Sequence, residues 1–392
     1  MIAPDAWLGV LGGGQLGRMF TMAAHRLGYR VMVLDPDPLS TAGAVADRHL
    51  CAALDDAAAL DEMAQICAAV TVETENAPTA ALERLARDVV VRPAAHCVAI
   101  AQDRIREKRF ISELGFSPAP YAVVNSVADL DGTSIAALLP GVLKLSRFGY
   151  DGKGQACVAT LEQARVAFEA MGSEPCVLER RINLSMELSV ILARGNDGRT
   201  ALWPVAENRH QAGILDLSIM PARIPAALAA KASKAALIIA GALSYEGVLC
   251  VEFFVDDNGM LLINEFAPRP HNSGHGTLEA SCTSQFEQQV RTLAGLPLGD
   301  TSLRTTVVMQ NLLGDLWEGG MPRWQVLLAD SSATLHLYGK DQPRQGRKMG
   351  HFSCIAPSVD QALESALRLR RLLPASGVDR PGQPSMAFNS VA

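Results

Sequence analysis

The chain has 392 residues, 49% of them hydrophobic and 19% charged, with a formal net charge of −6. That length suits two or three domains of roughly 150 residues, large enough to fold on apolar cores without disulfides. Basic residues number 35 against 41 acidic ones and form no long run, which excludes a nonspecific nucleic-acid binder. The longest apolar run, Ala235 to Leu243, is far too short to cross a bilayer. The opening Met-Ile-Ala-Pro-Asp lacks the basic flank of a signal peptide. The eight cysteines show no metal-ligand spacing and read as free thiols. The expectation is a cytoplasmic protein that binds neither nucleic acid nor membrane.

Leu8 to Leu11 predicts a strand that runs into Gly12-Gly-Gly-Gln-Leu-Gly17. Arg18 to Leu27 then predicts a helix, which Gly28 stops. Tyr29 to Leu34 predicts a second strand, a helix follows over Leu54 to Ala68, and Ala69 to Val72 predicts a third strand. This alternation implies a parallel sheet covered by helices on both faces. Pro93 and a helix from Asp103 to Leu114 mark the end of that unit. Beyond Pro118-Ala-Pro120 lie a strand over Val142 to Leu145, an Ala-rich helix from Ala226 to Leu243, and strands over Gly247 to Val255 and Leu261 to Phe266. Pro297-Leu-Gly299 reads as a linker, followed by a strand over Ala333 to Tyr338 and a helix over Asp360 to Leu373. The Gly-, Pro- and Ser-rich tail is expected to be poorly ordered.

Five patterns carry chemistry. Gly12-x-Gly14-x-x-Gly17 after a strand, with Asp35 ending the next, fits either a dinucleotide fingerprint or a tight strand-to-helix turn. Asn258-Gly259 predicts a two-residue hairpin loop. Counting back along both strands then sets Glu252 opposite Glu265. Two like charges so placed destabilise a sheet unless a divalent cation lies between them or water covers them. Gly149 to Gln155, after Lys144, is either a mobile loop over phosphates or an ordinary glycine-rich hairpin. Arg269, His271 and His275 share one loop beside that acidic pair and suit a carboxylate or carbonate. The histidines equally suit a metal or backbone groups. Lys340, Arg344, Arg347 and Lys348 form a late basic cluster, either a solvated face or a phosphate site.

In this order the motifs resemble the ATP-grasp enzymes of purine synthesis, and within them the family that carboxylates 5-aminoimidazole ribonucleotide. The segments that carry the resemblance are Gly12 to Met19, Glu73-Thr-Glu-Asn76, Gly149 to Gln155, Asn264 to His275 and Arg347-Lys-Met-Gly-His351. The resemblance implies a fold of α/β and α+β parts: a preATP-grasp parallel-sheet domain over 1–103, an ATP-grasp domain over 104–297, a small C-terminal domain over 298–376 and a flexible tail over 377–392. The lid would span roughly 116–185. It also implies ATP as substrate, Mg2+ or Mn2+ as cofactor, bicarbonate and the ribonucleotide as the other substrates, and a homodimer.

Carried over by position, ATP would be held by Arg104, Lys144, Glu179, Arg180, Arg181, Ile182, Glu187, His210, Asn264 and Glu265. The loop Gly149, Tyr150, Asp151, Gly152, Lys153, Gly154, Gln155 would cover its phosphates. Glu252 and Glu265 would carry the metal. Arg269, His271 and Lys340 would be catalytic, the first two positioning carbonate. Gln15, Leu16, Glu73, Tyr150, Asp151, Asn272, Ser273, Lys340, Arg347 and Lys348 would hold the ribonucleotide. The chain departs from the family at Phe148, where glycine is common, at Thr74, where a larger apolar residue is usual, and at Gly276, where an aromatic is common.

Overall fold

The structure is a computed structural model that describes residues 1–149 and 154–375. Among these residues three sheets form. The first is parallel, in the order Arg48–Leu50, Arg30–Leu34, Trp7–Leu11, Cys67–Val72 and Val90–Val91. Its central strands are buried on both faces, because helices cover both sides, and so they read as apolar runs without alternation. The helix after the first strand spans Gln15–Arg26, starting three residues ahead of its apolar pattern because Gly14 stands at its N-cap. Gly28 ends it in the left-handed region, with φ +81°.

The second sheet is antiparallel. Its order is Leu261–Ala267, Gly247–Asp256, Leu184–Arg194, Ala206–Gln211, Ile214–Met220, Thr306–Leu313, Lys348–Ala356 and Ala333–Leu337, with Thr200–Leu202 paired to Leu184–Arg194. The Ala-rich helix Ala226–Ala242 covers one face, packing Ala236, Ile239 and Ala240 on Leu188, Val190, Val251 and Phe253. Period-2 alternation sends Glu252 and Phe254 to the opposite face. Val307 to Gln310 pair with Leu217 to Met220, so the late strands continue the same hydrogen-bonded ladder. The third sheet, Tyr121–Val124, Cys176–Arg180, Gly141–Leu145 and Gln155–Val158, carries the helix Leu161–Ala170 on an apolar cluster around Phe168.

Glu252 does face Glu265, but by a different route from the one the sequence suggests. The turn is not a two-residue loop: Asp256 N–H donates to Met260 O at 3.1 Å, leaving Asp257, Asn258 and Gly259 in the loop, with Gly259 at φ +76°. The extra loop residue shifts the pairing by one, to Phe253 with Ile263. A bulge at Asn264 shifts it back before Glu265. Ile263 and Phe266, three apart, therefore both pack under the Ala-rich helix, which a regular strand does not permit.

The shared ladder makes the strands after residue 305 part of the core. A chain cut after residue 305 strips the paired edge from Ile214–Met220 and bares Leu217 and Ile219 to water. Such a fragment is expected to aggregate or to lack a cooperative melt by circular dichroism. A monomeric fragment with a cooperative melt would contradict the dependence.

Candidate active site

A cleft of about 1440 Å3 opens between the third sheet, the Glu252 face of the second sheet and the C-terminal edge of the first. On one side the helix Arg104–Glu113 presents Arg104, whose Nη1 lies 2.6 Å from Glu265 Oε2. Asp103 caps this helix by accepting from the N–H groups of Ile105 and Arg106. The same carboxylate accepts from Ser146 Oγ at 2.7 Å, tying the helix to the end of the Lys144 strand. Burial opposes charge on Glu265, but Arg104 and Lys144 outweigh it and hold the carboxyl at about 2. Glu252 is balanced separately, with His271 Nε2 2.9 Å from its Oε1.

Behind Arg104 lies a buried ion cluster. Glu179 has Lys144 Nζ at 3.0 Å from one oxygen and Lys108 Nζ at 3.0 Å from the other. Burial works against the carboxylate, yet the two ammonium groups hold it at about 2. Glu107, one residue before Lys108, accepts from Phe266 N–H at 2.6 Å and is pushed up to about 8 by burial and by Glu265.

The loop after the Glu265 strand brings in Arg269 and His271. Arg269 pairs through Nε with Glu75 and donates from Nη1 to Pro270 O at 3.1 Å. Part of its fork is therefore committed within the chain. Burial disfavours the His271 cation, but the Cys250 sulfur and Glu252 overcome this and raise the ring to about 10.

The glycine loop is occupied by the chain's own carboxylates. Gly14 N–H donates to Glu73 Oε1 at 2.9 Å, Gly17 N–H to Glu73 Oε2 at 3.3 Å, and Gly13 N–H to Asp35 Oδ2 at 2.6 Å. A dinucleotide pyrophosphate would need those same donors, so the dinucleotide reading fails. Across the cleft, Lys340 Nζ donates to Gln15 Oε1 at 2.9 Å and to Lys348 O at 2.9 Å, linking the first domain to the late basic strand.

Every site residue carried over from the resemblance that the structure describes borders this cleft, except Gly154 and Ser273, and the candidate His275 is likewise buried off it, against Phe286 and His351. Gly154, at φ +68°, has its carbonyl taken by Leu145 N–H at 2.8 Å. Ser273 is buried off the cleft, where its Oγ lies 2.7 Å from Ser189 Oγ and 2.8 Å from His271 Nδ1. It orients the imidazole and does not face a ligand. The N–H groups of Arg180 and Arg181 are bound to Pro120 O and Pro140 O and are not open to a base. Tyr150, Asp151, Gly152, Lys153 and the tail over 377–392 lie outside the described residues. Phe148 sits at φ +62°, in the left-handed region that glycine adopts without strain. Gly276 packs so closely on Val307 that an added Cβ would lie 3.0 Å from it, too near for an aromatic.

Sequence reasoning missed Lys108, Glu107 and the role of Glu75. Lys108 follows Arg104 by one helical turn and so shares its face, a signal available in the sequence. Phe254 and Val142 line the cleft as well, two residues from Glu252 and Lys144 along their strands.

An antiparallel lid facing a carboxylate-bearing antiparallel sheet, behind a parallel-sheet domain, defines an ATP-grasp enzyme. Family models agree: the ribonucleotide synthetase preATP-grasp domain matches residues 6–102, the ATP-grasp domain 109–286, and the phosphoribosylaminoimidazole carboxylase C-terminal domain 307–365. The N5-carboxyaminoimidazole ribonucleotide synthase of Brucella melitensis is 44% identical, over 91% of this chain and 98% of its own. The crystal structure of the Thermus thermophilus synthetase superposes with a TM-score of 0.87 at 40% identity, covering 95% of this chain and 100% of that one. That of the Aspergillus clavatus synthase, in complex with ADP and 5-aminoimidazole ribonucleotide, gives 0.85 at 30% identity, covering 94% and 98%. The chain belongs to the N5-carboxyaminoimidazole ribonucleotide synthase family.

Glu179→Gln strands two buried ammonium groups. It is expected to lower unfolding free energy by about 3–5 kcal/mol, read from the urea midpoint. The Glu179 carboxyl is held below its unfolded value, so its stabilisation is present above about pH 4 and fades as pH falls toward 2. The variant should show a shallower acid limb, and an unchanged midpoint would refute the pairing.

Proposed function

We infer that this cleft performs ATP-dependent carboxylation of 5-aminoimidazole ribonucleotide with bicarbonate, yielding N5-carboxyaminoimidazole ribonucleotide, ADP and phosphate. The observation that carries the reading is the meeting of one acidic and two basic walls in one cleft. These are the Glu252–Glu265 face, the Arg269–His271 loop and the basic residues Lys340, Arg347 and Lys348. A bicarbonate oxygen attacks the γ-phosphorus and ADP leaves, giving carboxyphosphate. The amine nitrogen of the ribonucleotide then attacks the carboxyl carbon, losing a proton as phosphate departs.

The residues divide this work by charge. Arg104 and Lys144 would face the phosphates of ATP, with Glu187 and His210 toward its sugar and Val142 and Phe254 as apolar walls. Arg269 and His271 would hold the bicarbonate and the charge developing on carboxyphosphate. Lys340, Arg347, Lys348 and Asn272 would take the ribonucleotide. Both polar side-chain atoms of Asn272 are buried without a hydrogen-bond partner, as a ligand-facing amide would be.

A metal fits the acidic wall. Asn264 Oδ1 is buried beside Glu265 without a partner, and with Glu252 it completes a set of oxygen donors that suits Mg2+. Bound there, the ion would neutralise charge on the transferring phosphoryl group. Among the described residues no cluster of three His, Cys, Asp or Glu side chains forms a protein-only cage, in keeping with a site shared with phosphate oxygens. A homodimer and a cytoplasmic location remain part of this reading, and no described helix is long and apolar enough to cross a membrane.

ADP release measured with Mg2+, bicarbonate and ribonucleotide, each omitted in turn, tests the reaction. Turnover that persists without bicarbonate would reject it. Arg269→Lys should leave ATP affinity by calorimetry within about threefold, while bicarbonate-dependent ADP release falls about a hundredfold. Collapse of ATP binding would instead make Arg269 a nucleotide residue. Lys348→Ala should raise KM for the ribonucleotide far more than KM for ATP. Equal rises would remove the basic strand from the ribonucleotide site.

A further inference from the structure

The loop that carries Arg269 and His271 is short of regular structure, yet its backbone is held. The helix Gln285–Ala294 begins directly behind it, and Gln285 in its first turn is fully buried. The Gln285 amide grips one residue of the loop from both sides. Its Oε1 accepts from His271 N–H at 2.9 Å, and its Nε2 donates to His271 O at 2.7 Å. The same Nε2 lies 3.2 Å from His275 Nδ1, so its second hydrogen is used as well. Ser284 caps the helix through Glu287 N–H, and Thr277 Oγ1 accepts from Gln285 N–H at 3.1 Å.

The sequence around the clamp is shaped to admit it. A Cβ on Gly274 would lie 2.5 Å from Gln285 Oε1 and 2.7 Å from Ile191 Cδ1. The backbone of Gly274 is not in the left-handed region, so glycine is required there by this close approach and not by its torsion. One turn further along the helix, Gln289 Nε2 donates to Thr71 Oγ1 at 3.1 Å, at the end of the strand that leads into Glu73 and Glu75. One helix thus sets the His271 loop against the segment that grips Arg269.

We propose that Gln285 is a positioning residue for the carboxylation reaction, fixing the His271 backbone so that the imidazole stands in register with Glu252 and the bicarbonate. This rests on the reading of His271 as a group that acts on the reacting atoms. The cost of losing the clamp falls on chemistry more than on nucleotide binding, because no Gln285 atom borders the cleft. Small displacements of a catalytic group cost up to about a hundredfold in rate.

The same helix supplies its own control. Gln288, equally buried, clamps Gly299 in the same way, accepting from its N–H at 3.0 Å and donating to its carbonyl at 2.7 Å. Gly299 lies away from the cleft. Gln285→Leu and Gln288→Leu therefore each lose a two-bond backbone clamp, the first losing the His275 contact as well, and only the first touches the His271 loop. Gln285→Leu is expected to lower kcat about ten- to a hundredfold with KM for ATP within about twofold of the parent. Gln288→Leu is expected to keep kcat within about twofold at a similar fall in melting temperature.

If Gln285→Leu does not fold, Gln285→Glu retains the acceptor, removes the donor at equal size, and should show the same loss of kcat. His271→Asn separates the two ideas. If it is inactive while the folded Gln285 variant keeps parental kcat, the positioning role is wrong. Equal losses of kcat in the Gln285 and Gln288 variants also overturn it, because the clamp is then merely structural. If His271→Asn turns over normally, the reading of His271 fails, and the proposal fails with it.

Discussion

Two carboxylates face each other on neighbouring strands, and the architecture around them follows from the need to balance that repulsion. Glu265 takes Arg104 from the helix that leads into the ATP-grasp unit. Glu252 takes His271 from the loop that follows the Glu265 strand. The two countercharges approach from separate parts of the chain, so the acidic pair holds those parts in fixed relation. Each cation also carries a second function in the reading above, Arg104 toward phosphate and His271 toward bicarbonate. A buried carboxylate paired in this way attracts a cation strongly, and a metal ion would compete with Arg104 and His271 for the same oxygens. The groups released in that exchange are those that would face the anionic substrates.

Similar charge balancing extends outward from the pair. Glu179 sits between Lys144 and Lys108, and Glu75 pairs with Arg269. Such groups are costly to remove from water unless their partners are already in place. The described walls of the cleft are therefore held by the chain's own helix caps, glutamine amides and ion pairs. A preorganised site of this kind spends little binding energy on rearranging its own walls.

Much of this was legible in the sequence because the relevant signals are local. Parallel strands read as apolar runs, Gly28 stops its helix, and period-2 alternation puts Glu252 and Phe254 on one face. The Glu252–Glu265 pairing was reached through two compensating differences, an additional loop residue and the bulge at Asn264. Nothing in the order of amino acids announces that bulge, since it depends on how Ile263 and Phe266 both reach the core. Lys108, Gln285 and Ser273 were harder still. Each touches its partner across a distance in sequence or through a backbone group, and their residue types alone point to no role. The merging of the late strands into the middle sheet is equally hard to read, because Ile214–Met220 and Thr306–Leu313 pair across a long separation in sequence.

The glycine-rich turn at the start of the chain has a broader meaning. Its amides form a receptor for negative charge, and here the receptor is filled by Asp35 and Glu73, which follow two neighbouring strands. Vacancy or occupancy of that receptor is decided by residues 35 and 73, not by the glycines themselves. The same glycine fingerprint is thus compatible with an open phosphate site or with a filled one. Motif matching sees the two states as identical. The carboxylates that plug the turn are the part of the pattern that separates them.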